Sequence, residues 1–246
     1  MIAAFASAFP GPLAGVGESL ALPRHAETGI RLADMLDPQR YQAPIAAFAQ
    51  RYPDGDVKAL VSLWTQWYFS VLVPPVVILD LLQDRLLPLG LEDTHLHLDA
   101  NGNPEQVVLS NTGQVRQTRS AFERFAPLVF AHLSPLCATL AQFSGLSPRV
   151  LWSNAGVRVA WAVDVVARHP LGGAERAAPG RQLLAAKQWP NGCSNPLFEP
   201  VRFAVADDET STSTRRVCCL RYRLDSLDYC PSCPLPVNRR SCKKNC

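Results

Sequence analysis

No nucleophile elbow, phosphate-binding loop or zinc-protease motif occurs in this chain, so the common hydrolytic and nucleotide-driven chemistries lack their residues. A glycine-rich dinucleotide fingerprint is also missing, and any electrons the protein handles are expected from a separate donor rather than from bound NADPH. There is no internal repeat and no low-complexity linker, the 21 prolines being spread along the length. The opening stretch MIAAFASAFPGPL has no basic residue ahead of its apolar run and so lacks the charged start of a secretory signal. A reducing compartment is therefore expected, and there close-set cysteines read as metal-binding or redox-active. With 246 residues, 48 % of them hydrophobic, the chain can bury a core without disulfide staples.

Net charge is small, at +3, but unevenly placed. From Arg215 to Cys246 eight basic residues face only Asp225 and Asp228. That end carries +6 and leaves −3 on the remainder. No aromatic stacking series or groove-reading motif accompanies the basic end, so nucleic acid is not the expected partner. Two uncharged stretches, Ala59 to Leu79 and Phe125 to Pro148, approach the length of a bilayer span. The first holds Ser62, Thr65, Gln66 and the pair Pro74–Pro75, and the second is studded with polar residues. Both read as core helices of a soluble protein, with peripheral membrane contact left open.

What is present is thiol. Cys218 and Cys219 are adjacent, and Cys230 and Cys233 follow within RRVCCLRYRLDSLDYCPSCPL, a C-C-x10-C-x2-C run. Thiolates are soft ligands, which points to zinc or an iron–sulfur centre rather than magnesium or calcium. Structural zinc sites usually bring two C-x2–4-C knuckles, and only Cys230/Cys233 forms one. In a regular strand Cys218 and Cys219 would point to opposite faces, a splay that a two-iron centre accommodates better than one tetrahedral ion. An iron–sulfur cluster is favoured, with zinc and a disulfide as the alternatives. Flanking guanidinium groups would stabilise the negative cluster and favour its reduced form. Cys137 lies in an apolar run and reads as a small buried hydrophobe, Cys193 as a loop thiol. Cys242 and Cys246 are the rival ligands.

Periodicity gives mostly helix: short ones at 34–36 and 44–52, a strong one over 57–73 ended by Pro74, and another over 76–85. Alternation in THLHLDANGNPEQVVLS reads as a hairpin turning at Asn101–Gly102. Ser120 with Glu123 forms a capping box that starts a helix towards Phe143. Helical spacing resumes over 149–168 and again over 173–187, and a strand is expected between Pro200 and the first cysteine. The fold class is α+β, mainly α: a helical domain with a small antiparallel sheet and a C-terminal cysteine-rich segment. Weaker constellations are His95 with His97, read as an exposed strand face, and the stripe Trp64, Trp67 and Tyr68, read as core. Trp152 and Asn154 are less ordinary, because a polar Ser153–Asn154 pair interrupts an apolar helix start, which reads as a helix cap or a buried hydrogen-bonding residue ahead of a ligand contact.

The cysteine run with its flanking arginines resembles the C-terminal signature of the FhuF-type ferric-siderophore reductases. SLWTQWYFSVLVPP at Ser62–Pro75, LWSNAG at Leu151–Gly156 and NPLF at Asn195–Phe198 extend the resemblance in the expected order. It implies a cytoplasmic enzyme with a [2Fe-2S] cluster held by Cys218, Cys219, Cys230 and Cys233, and a fold similar to the C-terminal part of siderophore synthetases. The expected organisation is one domain over 1–236, its cluster-binding segment at 215–234, and a basic tail over 237–246. The implied reaction is one-electron reduction of iron(III) in a siderophore complex, releasing iron(II). The electron would come from a ferredoxin-like protein or an NAD(P)H-dependent reductase. Arg216, Arg221 and Arg223, with Trp152 and Asn154, are the candidate substrate contacts. The alternatives are an iron–sulfur redox sensor and a structural zinc protein.

Overall fold

The computed structural model describes residues 1–23, 29–116, 120–205 and 211–235, so the basic tail with Cys242 and Cys246 lies outside the described residues. In chain order the elements begin with α1 (Ala14–Glu18), β1 (Leu20–Ala21), β2 (Ile30–Arg31), α2 (Pro38–Ala49) and α3 (Val57–Gln83). Next come β3 (Arg85–Leu86), β4 (Thr94–Leu98), β5 (Pro104–Leu109), β6 (Gln114–Val115) and α4 (Ala121–Ala126). The remainder are α5 (Ser134–Ser144), α6 (Pro148–Arg168), α7 (Ala174–Ala185), β7 (Val201–Val205) and β8 (Ser211–Arg215). The mainly helical α+β class is as expected.

Helix α3 is the axis of the fold. The Asp56 carboxylate caps its start by accepting the Ala59 N–H at 2.9 Å. Leu72, Val73, Val77, Ile78 and Leu79 are fully buried, each contributing about 1.5–3 kcal/mol over an exposed position. The helix runs straight through Pro74 and Pro75, where the sequence predicts a break. Each proline removes one helix hydrogen bond and frees a carbonyl four residues earlier. Pro75 frees that of Val71, which the Ser19 hydroxyl reaches at 2.8 Å while sharing its proton with the Val16 carbonyl at 2.7 Å. Pro74 frees that of Ser70, a half-exposed residue where water can serve. The predicted helix at 44–52 likewise starts earlier: Asp37 accepts the Gln39 N–H at 2.8 Å with Pro38 in the first turn, and Pro44 lies inside α2.

The principal sheet has the order β1-β5-β4-β2. Its β4–β5 hairpin turns where predicted, with Asp99 accepting from the Asn101 and Asn103 N–H groups and Gly102 at φ 75°. The sheet is mixed rather than antiparallel throughout, since β1 pairs parallel with β5. That strand arrives from an N-terminal segment packed on α3, not from a hairpin. The capping box at Ser120 and Glu123 forms as expected. Between α4 and α5, however, Pro127–Leu133 winds as a wide π-helix, which faces His132 into the core. There its Nδ1 lies 2.7 Å from the Leu89 carbonyl and its Nε2 meets the Tyr68 hydroxyl.

Helix α6 packs along α3, and α7 along α6. Gly180 permits the approach of α7 to α6, since a Cβ there would stand 2.3 Å from Val163, and Gly156 lets Pro200 lie against α6, at 2.7 Å from the same added atom. Asn195 closes the end of α7 by donating to the Leu183 and Ala186 carbonyls at 2.7 and 2.9 Å. The predicted strand before the cysteines is a pair, β7 and β8, with Val201 opposite Arg215.

Candidate cluster site

Strand β8 delivers the chain to the thiols, and the body of the protein grips the segment beyond it. The Arg216 N–H donates to the Pro200 carbonyl at 3.0 Å, and Ser62 Oγ of α3 donates to the Cys219 carbonyl at 2.7 Å. Leu220, directly after the cysteine pair, adopts a left-handed conformation (φ 61°) and turns the chain into the loop that follows. A short 3-10 turn over Arg221–Arg223 comes next, and buried Leu224 packs beside Gly55. Tyr222 and Tyr229 stack at 5.1 Å and close the ten-residue loop between the two cysteine pairs. The Cys233 N–H donates to the Cys230 carbonyl at 3.0 Å, forming the knuckle.

The four thiols are not equivalent. Cys219 and Cys233 are 1 % and 3 % exposed, whereas Cys218 and Cys230 are half-buried and reach the surface. Cys230 donates to the Cys219 sulfur, which also faces the backbone N–H groups of Arg221 and Cys219 and the Arg215 charge. The Cys219 thiol is accordingly drawn down to about 6, and that of Cys230 is pushed up by the same contact. Burial, with the neighbouring sulfurs, raises Cys218 to about 11.

Among the described residues, no three Cys, His, Asp or Glu side chains converge as a single-ion site would require. The four sulfurs lie close enough to act on one another, Cys219 on both Cys218 and Cys230, and Cys233 likewise. Four soft donors, with the Leu220 N–H donating to Cys218 Sγ at 3.4 Å, suit an iron–sulfur centre.

The candidate substrate residues are differently placed. Arg216 pairs with Glu199 at 2.8 Å and lies over the Phe198 ring; Arg223 pairs with Asp56 at 3.3 Å. Arg221 is half-buried and its Nε has no partner among the described residues. Asn154 is 2 % exposed and lies beneath the segment, donating to Ser62 Oγ at 3.2 Å and Thr65 Oγ1 at 3.1 Å while accepting from Arg215. Trp152 packs against the core from its partly exposed position. Of the aromatic stripe, Trp64 and Tyr68 are buried and stacked, whereas Trp67 is 47 % exposed.

Sequence reasoning does not single out Ser62, Gln66 and Arg215 as site residues. The available signal is Ser62, Thr65 and Gln66 together: at spacings of three and four they give an apolar helix one polar face. Among the described residues three helices, α3, α4–α5 and α6, are long and apolar enough to cross a membrane, but 78 % of the apolar window of α3 is buried inside the fold.

A helical body closed by a kinked four-thiol segment defines a two-iron iron–sulfur protein. Residues 62–211 match the family described as "Ferric iron reductase FhuF-like transporter", and residues 215–235 match the "FhuF 2Fe-2S C-terminal domain". The chain belongs to this family, and its cofactor is a [2Fe-2S] cluster. It is 30 % identical over 179 residues to the "Ferric siderophore reductase" of Escherichia coli (strain K12). That match covers 72 % of this chain and 66 % of the relative, so the chain spans about two thirds of the relative's length.

Proposed function

We propose that the protein reduces iron(III) held by a siderophore, releasing iron(II) in the cytoplasm, with Cys218, Cys219, Cys230 and Cys233 as the ligands of its cluster. Residues 1–236 would act as one unit, the cluster segment at 215–234 carried by the helical body. The observation that carries this reading is the four-thiol segment itself. It lies in a matched 2Fe-2S domain and has two sulfurs at the surface, next to a rim of arginines. The cluster, when bound, supplies a carrier for one electron at a time. The relative's name, a ferric siderophore reductase, supports the choice of substrate.

The chain's own residues have three tasks. The left-handed Leu220 and the Tyr222–Tyr229 stack hold the thiols in a loop open on one side. Cys218 and Cys230 present that side to solvent, where a bulky chelate can approach without entering the core. Arg221, flanked by Arg216 and Arg223, offers planar donors to the carboxylate or hydroxamate oxygens of the chelate. Arg216 and Arg223 already hold carboxylate partners and contribute less. One electron converts iron(III) to iron(II), which hard oxygen ligands hold far less tightly, so the chelator survives the release. The electron comes from a ferredoxin-like protein or an NAD(P)H-dependent reductase docking on the same open side.

The test is anaerobic. Protein reduced with dithionite and freed of excess is mixed with a ferric hydroxamate chelate, and iron(II) is trapped by a chromogenic ligand. About one iron(II) per cluster is expected, with return of the oxidised cluster spectrum. A cluster that stays reduced beside intact chelate sinks the reading.

A further inference from the structure

Arg215 is buried, at 5 % exposure, where strand β8 enters the thiol segment. Its guanidinium donates to Asn154 Oδ1 through Nη2 and to Gln66 Oε1 through Nη1 at 3.4 Å, and its Nε has no partner among the described residues. Among those residues, no carboxylate lies within ion-pair distance of it. Arg124, the other buried arginine among the described residues, and its half-buried neighbour Arg116 are treated differently. Arg116 and Arg124 meet Asp80 and Asp84, at 2.7 Å for the Arg116–Asp80 pair. A buried cation is costly unless an opposite charge accompanies it, and neutral amides do not supply one. Arg158 strengthens the point. Its Nη2 reaches the Gln66 carbonyl at 3.4 Å, it has no carboxylate partner among the described residues, and burial together with Arg215 lowers its pKa. Two guanidinium groups within electrostatic reach of each other call for an anion nearby. What lies beside Arg215 is the thiol segment: its own N–H donates to the Ser232 carbonyl at 2.9 Å, between Cys230 and Cys233, and its partner Asn154 is bonded to Ser62, which holds the Cys219 carbonyl.

We propose that Arg215 is the internal counter-ion of the cluster, clamped by the neutral amides of Asn154 and Gln66 so that its full charge is directed at the Cys219–Cys230 side. The oxidised centre, with four thiolates, carries a double negative charge, and one electron makes it triple. A fixed positive charge therefore stabilises the reduced form more than the oxidised form and raises the reduction potential. Asn154 and Gln66 are suited to this as amides, since a carboxylate at either place would neutralise the guanidinium. Arg215 acts through the cluster and is a positioning residue, not one that touches substrate. The inference rests on the cysteine ligand assignment but not on the identity of the iron substrate.

The experiment is a mediator titration of full-length, cluster-loaded protein followed by visible absorbance, with iron and sulfide content measured alongside. In Arg215→Gln the reduced-to-oxidised ratio at a fixed applied potential should fall about tenfold, a midpoint lower by about 59 mV. Arg215→Lys should restore most of the difference. Asn154→Asp and Gln66→Glu should shift the midpoint the same way as Arg215→Gln, with the arginine still in place. An unchanged midpoint in a fully loaded Arg215→Gln protein overturns the proposal and leaves the arginine a packing role. Should that variant come out colourless, half-exposed Gln66→Glu decides, and an unshifted or colourless product there overturns it. A wild-type protein without a cluster spectrum would instead overturn the ligand assignment.

Discussion

Eight cysteines give a direct way to separate ligands from bystanders. Replacing Cys218, Cys219, Cys230 or Cys233 singly by Ser should abolish the visible colour and the bound iron of purified protein. Cys137 is fully buried, with its thiol pushed well up by burial, and serves as the control. Cys137→Ser should keep the full cluster spectrum while losing about 1–3 kcal/mol of stability in chemical denaturation, because a hydroxyl replaces sulfur in apolar surroundings. Colour retained in any of the four others removes that residue from the ligand set. The thiols are legible because their whole message lies within sixteen consecutive residues. Arg215 is not, although it stands three residues before Cys218. Its role depends on Gln66 and Asn154, which lie on two helices far away in sequence. The same distance hides the place of Asn154. A polar residue in an apolar helix reads as a buried hydrogen-bonding group before it reads as a ligand contact, and the Asn154 amide is indeed occupied under the segment.

Helix α3 shows how one distant side chain overrides a local rule. Two adjacent prolines predict a stop, and locally nothing contradicts that. The hydroxyl that accommodates Pro75 belongs to Ser19, 52 positions before Val71. Ser19→Ala should therefore cost about 1 kcal/mol, the penalty for a part-buried carbonyl left without its donor. In a Pro75→Ala background the helix supplies its own N–H to Val71, and the same change at Ser19 should cost clearly less. Equal costs in both backgrounds, measured by urea denaturation, would show that Ser19 does not compensate for the proline. Other element boundaries are legible where the signal is local, as at the Ser120–Glu123 box and the Asn101–Gly102 turn. The parallel pairing of β1 is not, because two residues carry no period.

Across the whole molecule, His132 makes the stability sensitive to acid. Burial lowers its pKa from 6.5 to about 4. Between those values the unfolded chain binds a proton that the folded protein refuses, so stability falls as pH drops through this window. The loss should approach about 3 kcal/mol by pH 4, since each tenfold weakening of proton affinity is worth about 1.4 kcal/mol. In His132→Gln the acid-dependent part of the slope should shrink by that amount, whatever the variant's stability at neutral pH. A slope unchanged from wild type would mean that other groups govern the acid response.

The bond from Ser62 to the Cys219 carbonyl joins positions 157 residues apart and has a consequence for biogenesis. The thiol segment emerges from the ribosome after α3 and α6, the surfaces that receive it. Iron and sulfide then have to be delivered to an acceptor whose helices are already in place, at the edge where Cys218 and Cys230 remain accessible. On this arrangement cluster insertion is expected to come last and at the surface, with the helical core formed before it.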